Sequence, residues 1–450
     1  MPDMPTGGQP VRMASADIVV DVWFADYPFR TYQGTSFLQP LRDQAAAFEQ
    51  RHPGCRISVR GVDFWDMAQE VSEAVEQGRA PDVAGYYASD TRMALDTRTP
   101  DGRPRYVSVT EALAGRDRVL GEAVVLDDLE PAVRSYYTRS GELLCVPLSA
   151  TTTVLYSNLT LLRLAGIAEP PRTWRELRTA CEAVRALPGG HATGATWANH
   201  GWLFQQAVAQ QGGLLADHDN GRAGTARTVD LASAAMLAWV SWWRQLHADG
   251  LFHYSGTPDD WEGCFGAFAG QQVAFLISSS KSAEELVGAG REAGFEVAVS
   301  AMPHNDDVPY AGNFVSGDAL WLADGPNRVK RDHALAFVLS LLQPSAVAAW
   351  HRSNGFLPVT GAGQRLLEAE GWFARHPHHR AAVEQLRRSD GSPAALGPII
   401  GRLTRIDDVL AAAMHDVLVH DADPAQRFAA ATATAQQIVD DHIRVLSTTA

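Results

Sequence analysis

The sequence predicts an α/β protein built as two lobes. Three observations carry this reading. Strand-like and helix-like runs alternate from residue 17 onward. The chain has 450 residues, more than one hydrophobic core usually serves. The polar segment Ser149-Ala-Thr-Thr-Thr153 lies between two apolar runs, as a crossover from one lobe to another would.

Asp17-Ile-Val-Val-Asp-Val-Trp-Phe24 alternates so that Ile18, Val20 and Val22 share one strand face. Leu38, Leu41, Ala45 and Phe48 then recur at helical spacing, and His52-Pro-Gly54 ends that helix. A second strand from Arg56 to Val62 and a helix through Val71 and Val75 lead to Gly78-Arg-Ala-Pro-Asp82, a helix stop before a buried strand ending at Tyr87. This is βαβ winding. Val146-Pro-Leu148 leaves the first lobe and Val154-Leu-Tyr-Ser-Asn158 enters the second. The capping box Thr173-x-x-Glu176 starts a helix in which Trp174, Leu177, Cys181 and Val184 share a face. From Asp407 onward little but helix is expected, a C-terminal cover. The lobes are drawn at 17–153 with 297–343 and at 154–296 with 344–450, without internal repeat or low-complexity linker.

Hydrophobic residues at 46% and charged residues at 20% describe an ordinary globular chain. A net charge of −14 without Lys/Arg-rich runs argues against nucleic acid as a partner. The longest apolar runs, such as Ala334 to Leu342, are about half the roughly 20 residues that span a bilayer. Met1 to Ala16 has no apolar core, so it reads as neither a secretory signal nor a transit peptide. Cys55, Cys145, Cys181 and Cys264 are far apart and form no C-x-x-C pair, which suits small buried residues.

The following segments occur in a recognisable order: Val22-Trp-Phe24, Gly78 to Asp82, Val146-Pro-Leu-Ser149 with Val154 to Asn158, Pro170 to Trp174, His200-Gly-Trp202, Phe268-Ala-Gly-Gln-Gln-Val-Ala-Phe275 with Ser278-Ser-Ser280, Ala319-Leu-Trp321, and Trp350-His-Arg-Ser-Asn-Gly-Phe-Leu-Pro358. Over nearly the whole chain the sequence resembles the extracellular solute-binding subunits of bacterial ABC importers for sugars, and most of all their glycerol-3-phosphate-binding members. The resemblance implies a two-lobed periplasmic-binding-protein-like fold of type II, the maltose-binding-protein-like form, with ligand held between the lobes. It implies a monomer that serves a membrane permease outside the cell or in the periplasm, with a signal or lipid anchor absent from this chain. If the N-terminus is native, the cytoplasm is the alternative.

Position by position, the resemblance places these ligand contacts: Trp23 and Asp26 after the first strand, Phe64 and Trp65 after the second, Tyr87 and Asp90 after the third, and Thr151 and Thr152 at the first hinge. From the second lobe come Asn199, Trp202, Ser279 and Ser280, with Ser316 and Gly317 at the return and Phe356 below the last hinge. Aromatic faces suit sugar rings or methylated head groups, and hydroxyls suit hydroxyls. Trp202 is expected to stack on ligand without core contacts. The family's carboxylate for glycerol falls at or near Ala88, with Asp90 close by. A family tryptophan matches Asn199, its cleft tyrosine matches Phe356, and its phosphate arginine aligns with Ile399, three residues before Arg402, the candidate to take that role if the loop is shifted. Without that guanidinium a simple glycerol phosphate fits poorly, which favours a neutral sugar, a glycoside or a glycerophosphodiester.

His376-Pro-His378-His379 has no spaced carboxylate or cysteine partner and is read as a surface loop, so no metal is assigned. No cofactor motif occurs among the Walker A, G-x-G-x-x-G, G-x-S-x-G or H-E-x-x-H patterns. The enzymatic alternative rests on Cys145, which would border the cleft and attack ligand as in thiaminase I. Leu143, Leu144, Val146 and Leu148 around it offer no activating charge. A further alternative is a ligand sensor that relays closure to another partner.

Overall fold

The structure is a computed structural model that describes residues 18–27, 34–188, 193–325 and 327–449. Met1 to Ala16, the segment read as neither a secretory signal nor a transit peptide, lies outside the described residues.

The first sheet begins with Ile18–Asp26, whose Val20, Val22 and Phe24 are buried while the intervening residues are less so. The helix Gln39–Arg51 buries Leu41, Ala45 and Phe48 against it. The strand Cys55–Asp63 returns parallel to the first, with Val20 opposite Ile57, and Val83–Tyr87 pairs parallel on the other side. Asp318–Ala323 then joins Val83–Tyr87 in antiparallel register, Ala319 opposite Tyr86. Parallel strands must be joined by crossovers, so the ends of the first three strands open at one edge, where α/β sheets offer their ligand crevice.

The second sheet runs in the order Thr193–Thr196, Val273–Ser279, Thr153–Asn158, Val297–Ala301. The last of these differs from expectation. Val297–Ala301, placed by the sequence at the start of the return to the first lobe, hydrogen-bonds along Thr153–Asn158, with Tyr156 opposite Val299. An antiparallel neighbour was available at that edge, so the return falls later, near Ser316. Pro344–Asn354, assigned to the second lobe, packs on Gln39–Arg51 of the first, with Trp350 against Phe24 and Phe37. The helix Pro344–Asn354 therefore packs with the first lobe.

Three crossovers lie side by side. Thr151 exchanges backbone hydrogen bonds with Ser316 at 2.7 and 2.8 Å, and Leu357 N–H donates to the Ala150 carbonyl at 2.7 Å. Gly317, at φ +139°, brings its backbone so close to Ser149 that a Cβ would lie 2.3 Å from the Ser149 carbonyl oxygen. Only glycine fits there.

The expected capped helix is Trp174–Arg185: Thr173 Oγ1 accepts from Glu176 N–H, and Trp174, Leu177, Cys181 and Val184 are buried. The helices Leu403–Val419 and Pro424–Thr449 form the C-terminal cover. Among the described residues no single helix is long and apolar enough to cross a membrane.

Candidate functional site

At the carboxyl ends of the first three strands the chain gathers aromatic rings. Tyr27 lies 4.5 Å from both Phe37 and Phe64, centroid to centroid, and 6.4 Å from Phe356. Phe64 meets Tyr87 at 5.4 Å and Trp65 at 4.8 Å. Trp65 is 62% exposed, a large indole left in solvent beside the Phe64 ring. Of the predicted residues, Phe64, Trp65, Tyr87 and Phe356 are thus brought together; Tyr27 was missed, although it directly follows Asp26 at the same strand end.

Beneath the rings sits a second missed residue, Asp318, fully buried next to Gly317. Tyr27 Oη donates to Asp318 Oδ1 at 3.0 Å and Ser149 Oγ donates to Oδ2 at 2.6 Å. Burial pushes its carboxyl up to about 7, against the pull of those two hydrogen bonds. Burial likewise pushes Asp90 up to about 7, at the turn after Tyr87. Asp26 is raised by burial against the attraction of Arg42. Trp23 is carried on the first strand with the Arg60 guanidinium 4.1 Å over its ring.

The hinge hydroxyls form one network. Thr151 Oγ1 lies 2.7 Å from Ser279 Oγ and 3.0 Å from Ser280 Oγ, and Thr152 Oγ1 donates to the Phe314 carbonyl at 3.1 Å. Ser316 Oγ accepts from Trp202 Nε1 at 2.9 Å. This hydroxyl thereby ties the second crossover to a helix of the second lobe. Lys281 follows this network, and burial holds its ammonium down to about 8.

On the second-lobe side Trp202 opens the helix Gly201–Gln210, with Trp261 6.4 Å away. It is only 9% exposed and belongs to the second core, so the expectation of a ring without core contacts does not hold. Asn199 is buried: its amide donates to the Ala411 carbonyl at 2.8 Å, while its Oδ1 has no partner among the described residues. Asp407, fully enclosed, is pushed well above the usual carboxylate range by burial despite accepting from Gln205 Nε2. Arg402 starts the helix Leu403–Val419 in a left-handed conformation, and Ile399 beside it is buried.

The lobes touch across this site. His442 on the last helix lies 2.8 Å from Asp96 on the short helix Thr91–Asp96. Tyr136 Oη donates to the Ala88 carbonyl at 3.0 Å and to the Pro398 carbonyl at 3.4 Å. Arg222 donates to the Gly397 carbonyl at 2.6 Å and the Tyr136 carbonyl at 3.2 Å, its guanidinium 4.8 Å over the Tyr136 ring. This is a closed arrangement. A cavity of about 230 Å³ lies behind the hinge, lined by Ala150, Val315 and Leu357 with Glu130 and Arg387, and none of the predicted residues faces it.

Cys145 does not border the cleft. It is fully buried, and desolvation raises its thiol well above the ordinary value, the reverse of an activated nucleophile. The His376–His379 segment is also unlike its expectation. It is a packed turn in which His379 is buried, and Glu284 supplies the carboxylate that the local sequence lacks.

Two α/β lobes, three adjacent crossovers and an aromatic, hydroxyl-lined crevice between them define a solute-binding protein. The chain belongs to the bacterial extracellular solute-binding proteins, whose family model matches residues 43–381. It is similar to the sn-glycerol-3-phosphate-binding periplasmic protein UgpB of Yersinia pseudotuberculosis, 26% identical over 375 residues covering 81% of each chain. The UgpB protein of Salmonella typhimurium is 27% identical over 405 residues, 88% of each. Among solved structures, the cyclic alpha-maltosyl-1,6-maltose binding protein of Arthrobacter globiformis superposes with a TM-score of 0.73 at 20% identity, covering 94% of this chain and 99% of that one. UgpB of Mycobacterium tuberculosis in complex with glycerophosphocholine gives 0.69 at 20% identity, with the same coverage. The protein is a solute-binding subunit of the ABC-importer class, a family that works outside the cytoplasm and delivers small solutes to a permease.

Proposed function

We propose that the cleft captures a neutral or zwitterionic solute rich in hydroxyls, namely a sugar, a glycoside or a glycerophosphodiester, and that the monomeric protein hands it to the permease of an ABC importer. The observation that carries this reading is the aromatic group Tyr27, Phe64, Trp65 and Tyr87 beside two carboxyls, Asp90 and Asp318, that burial holds up to about 7. Such a surface offers apolar faces and hydrogen bonds while carrying less negative charge near neutrality than two ordinary carboxylates would. Free glycerol phosphate fits it less well: Ile399 stands where the resemblance expects an arginine, and Arg222 is committed to backbone carbonyls. The names of the relatives, which mention sn-glycerol-3-phosphate, glycerophosphocholine and a cyclic maltosaccharide, bracket the same classes. Capture proceeds by population shift, because contacts from both lobes exist together only when the cleft is closed.

A thermal-shift screen against sugars, glycosides, glycerol-3-phosphate and glycerophosphodiesters, with mass spectrometry of each solute afterwards, tests this. A solute at about 100 times its Kd stabilises the fold by about 2.7 kcal/mol. The expected result is a hit among sugars or glycerophosphodiesters recovered unchanged; a hit only with glycerol-3-phosphate, or a chemically altered hit, overturns the reading.

A further inference from the structure

Away from the cleft, one carboxylate oxygen gathers three imidazoles. Glu284 lies in the first turn of the helix Ala283–Glu292 in the second lobe, and its Oε1 is 2.5 Å from His376 Nδ1, 2.8 Å from His378 Nε2 and 3.2 Å from His379 Nε2. As a purely hydrogen-bonded cluster this is a crowded arrangement, with three ring nitrogens sharing a single acceptor atom. The ligand atoms of Glu284, His376 and His378 all lie within 4.8 Å of one another. That spacing lets one ion reach all three at the usual bond lengths of about 2.0–2.2 Å. Glu284 and His376 remain partly open to solvent, so a fourth position is accessible.

The surroundings are built to hold these rings in place. His376 stacks on Trp372 with centroids 3.8 Å apart. Trp372 Nε1 donates to His351 Nε2 at 2.9 Å, and His351 Nδ1 lies 2.7 Å from the Phe356 carbonyl. The buried Nδ1 of His379 has no partner among the described residues, so this ring has no second hydrogen bond fixing its orientation.

We propose that Glu284, His376 and His378 form a binding site for a divalent transition ion of the zinc class, with His379 or solvent completing four-fold coordination. The donor set of two imidazoles and one carboxylate selects such an ion over magnesium or calcium, which take oxygen ligands. The ion links the second-lobe helix Ala283–Glu292 to the 372–379 segment, which is connected through Trp372 and His351 to the hinge residue Phe356.

The test is titration of the full chain, stripped with chelator, with Co²⁺ followed by visible absorption and with Zn²⁺ followed by calorimetry. One equivalent per chain is expected, with the intense bands of tetrahedral cobalt, bleached on addition of zinc. Glu284→Gln and His376→Ala each weaken uptake by at least about tenfold. His333→Ala, at an exposed histidine on another helix, leaves uptake unchanged. Thermal melts of each variant without metal establish that it is folded. Absence of stoichiometric uptake by the folded wild type, or uptake undiminished in folded Glu284→Gln and His376→Ala, overturns the proposal.

Discussion

His442 Nε2 lies 2.8 Å from Asp96 Oδ2, though the two are 346 positions apart in sequence, and both side chains are buried where the two lobes meet. Arg92 Nε donates to the same Asp96 oxygen at 2.7 Å, so one carboxylate of the first lobe is shared by its own helix and by the last helix of the second. A buried charge-assisted contact of this kind is expected to hold the closed form.

His442→Ala removes the second-lobe partner and leaves the Arg92–Asp96 pair. Hydrogen bonds to charged groups contribute about 1.5–3 kcal/mol, so the closed-to-open ratio falls by about tenfold or more. Small-angle scattering of the ligand-free protein should report a larger radius of gyration; an unchanged profile removes this contact from closure.

The pH sign at the same contact follows from Asp96. Burial alone would raise its carboxyl, but hydrogen bonds from Arg92 and His442 hold it below its ordinary 3.8. A depressed carboxyl stabilises the native form fully above 3.8, and the stabilisation is lost only as pH falls through the lowered value. The radius of gyration is therefore expected to be insensitive to this residue between pH 5 and 8, with opening confined to strongly acid solution.

Asp318 has the opposite sign. Its carboxyl stands at about 7 in the fold against 3.8 ordinarily, so the native state keeps a proton that the unfolded chain releases between those values. Its contribution to stability declines as pH rises from about 4 to about 7 and then levels. Asp318→Asn keeps an acceptor for Tyr27 without the ionisation. Denaturant titrations at pH 5 and pH 8 should show a smaller difference for the variant, by on the order of a few kcal/mol. An equal difference in both proteins contradicts the assignment.

Trp202→Ala is predicted to destabilise the protein itself. The ring lies in the second core and donates to Ser316, so truncation costs about 3–5 kcal/mol in denaturant unfolding. A cost within about 0.5 kcal/mol would mean that the ring is not packed as described.

All four cysteines are free and buried. None should react with a thiol reagent in the native protein, and all four should react in denaturant. Rapid native labelling of Cys145 would contradict its burial and revive a nucleophilic role.

Much of the fold was legible because its signals are local. The buried face of Trp174–Arg185 follows from helical spacing and a capping box, and the hinge from a run of hydroxyl residues between two apolar strands. The aromatic group was legible in part through the resemblance, which points to Phe64, Trp65, Tyr87 and Phe356, rings that the fold brings together around Tyr27. What escaped were partners set by tertiary packing. Tyr27 and Asp318 are 291 residues apart, and Glu284 meets His376 across 92. The edge position of Val297–Ala301 was hidden similarly, because an alternating strand pattern does not say which sheet it will join.

The central claim, that solute is held against the aromatic face between the lobes, is tested most directly by calorimetric titration of the panel's best solute into wild type and Trp65→Ala. Trp65 is exposed, so its truncation should leave stability within about 0.5 kcal/mol. The prediction is one solute per chain for wild type and an affinity at least about tenfold weaker in the variant, a loss of about 1.4 kcal/mol or more. Equal affinity in the two folded proteins would contradict the account and move the binding surface away from these rings.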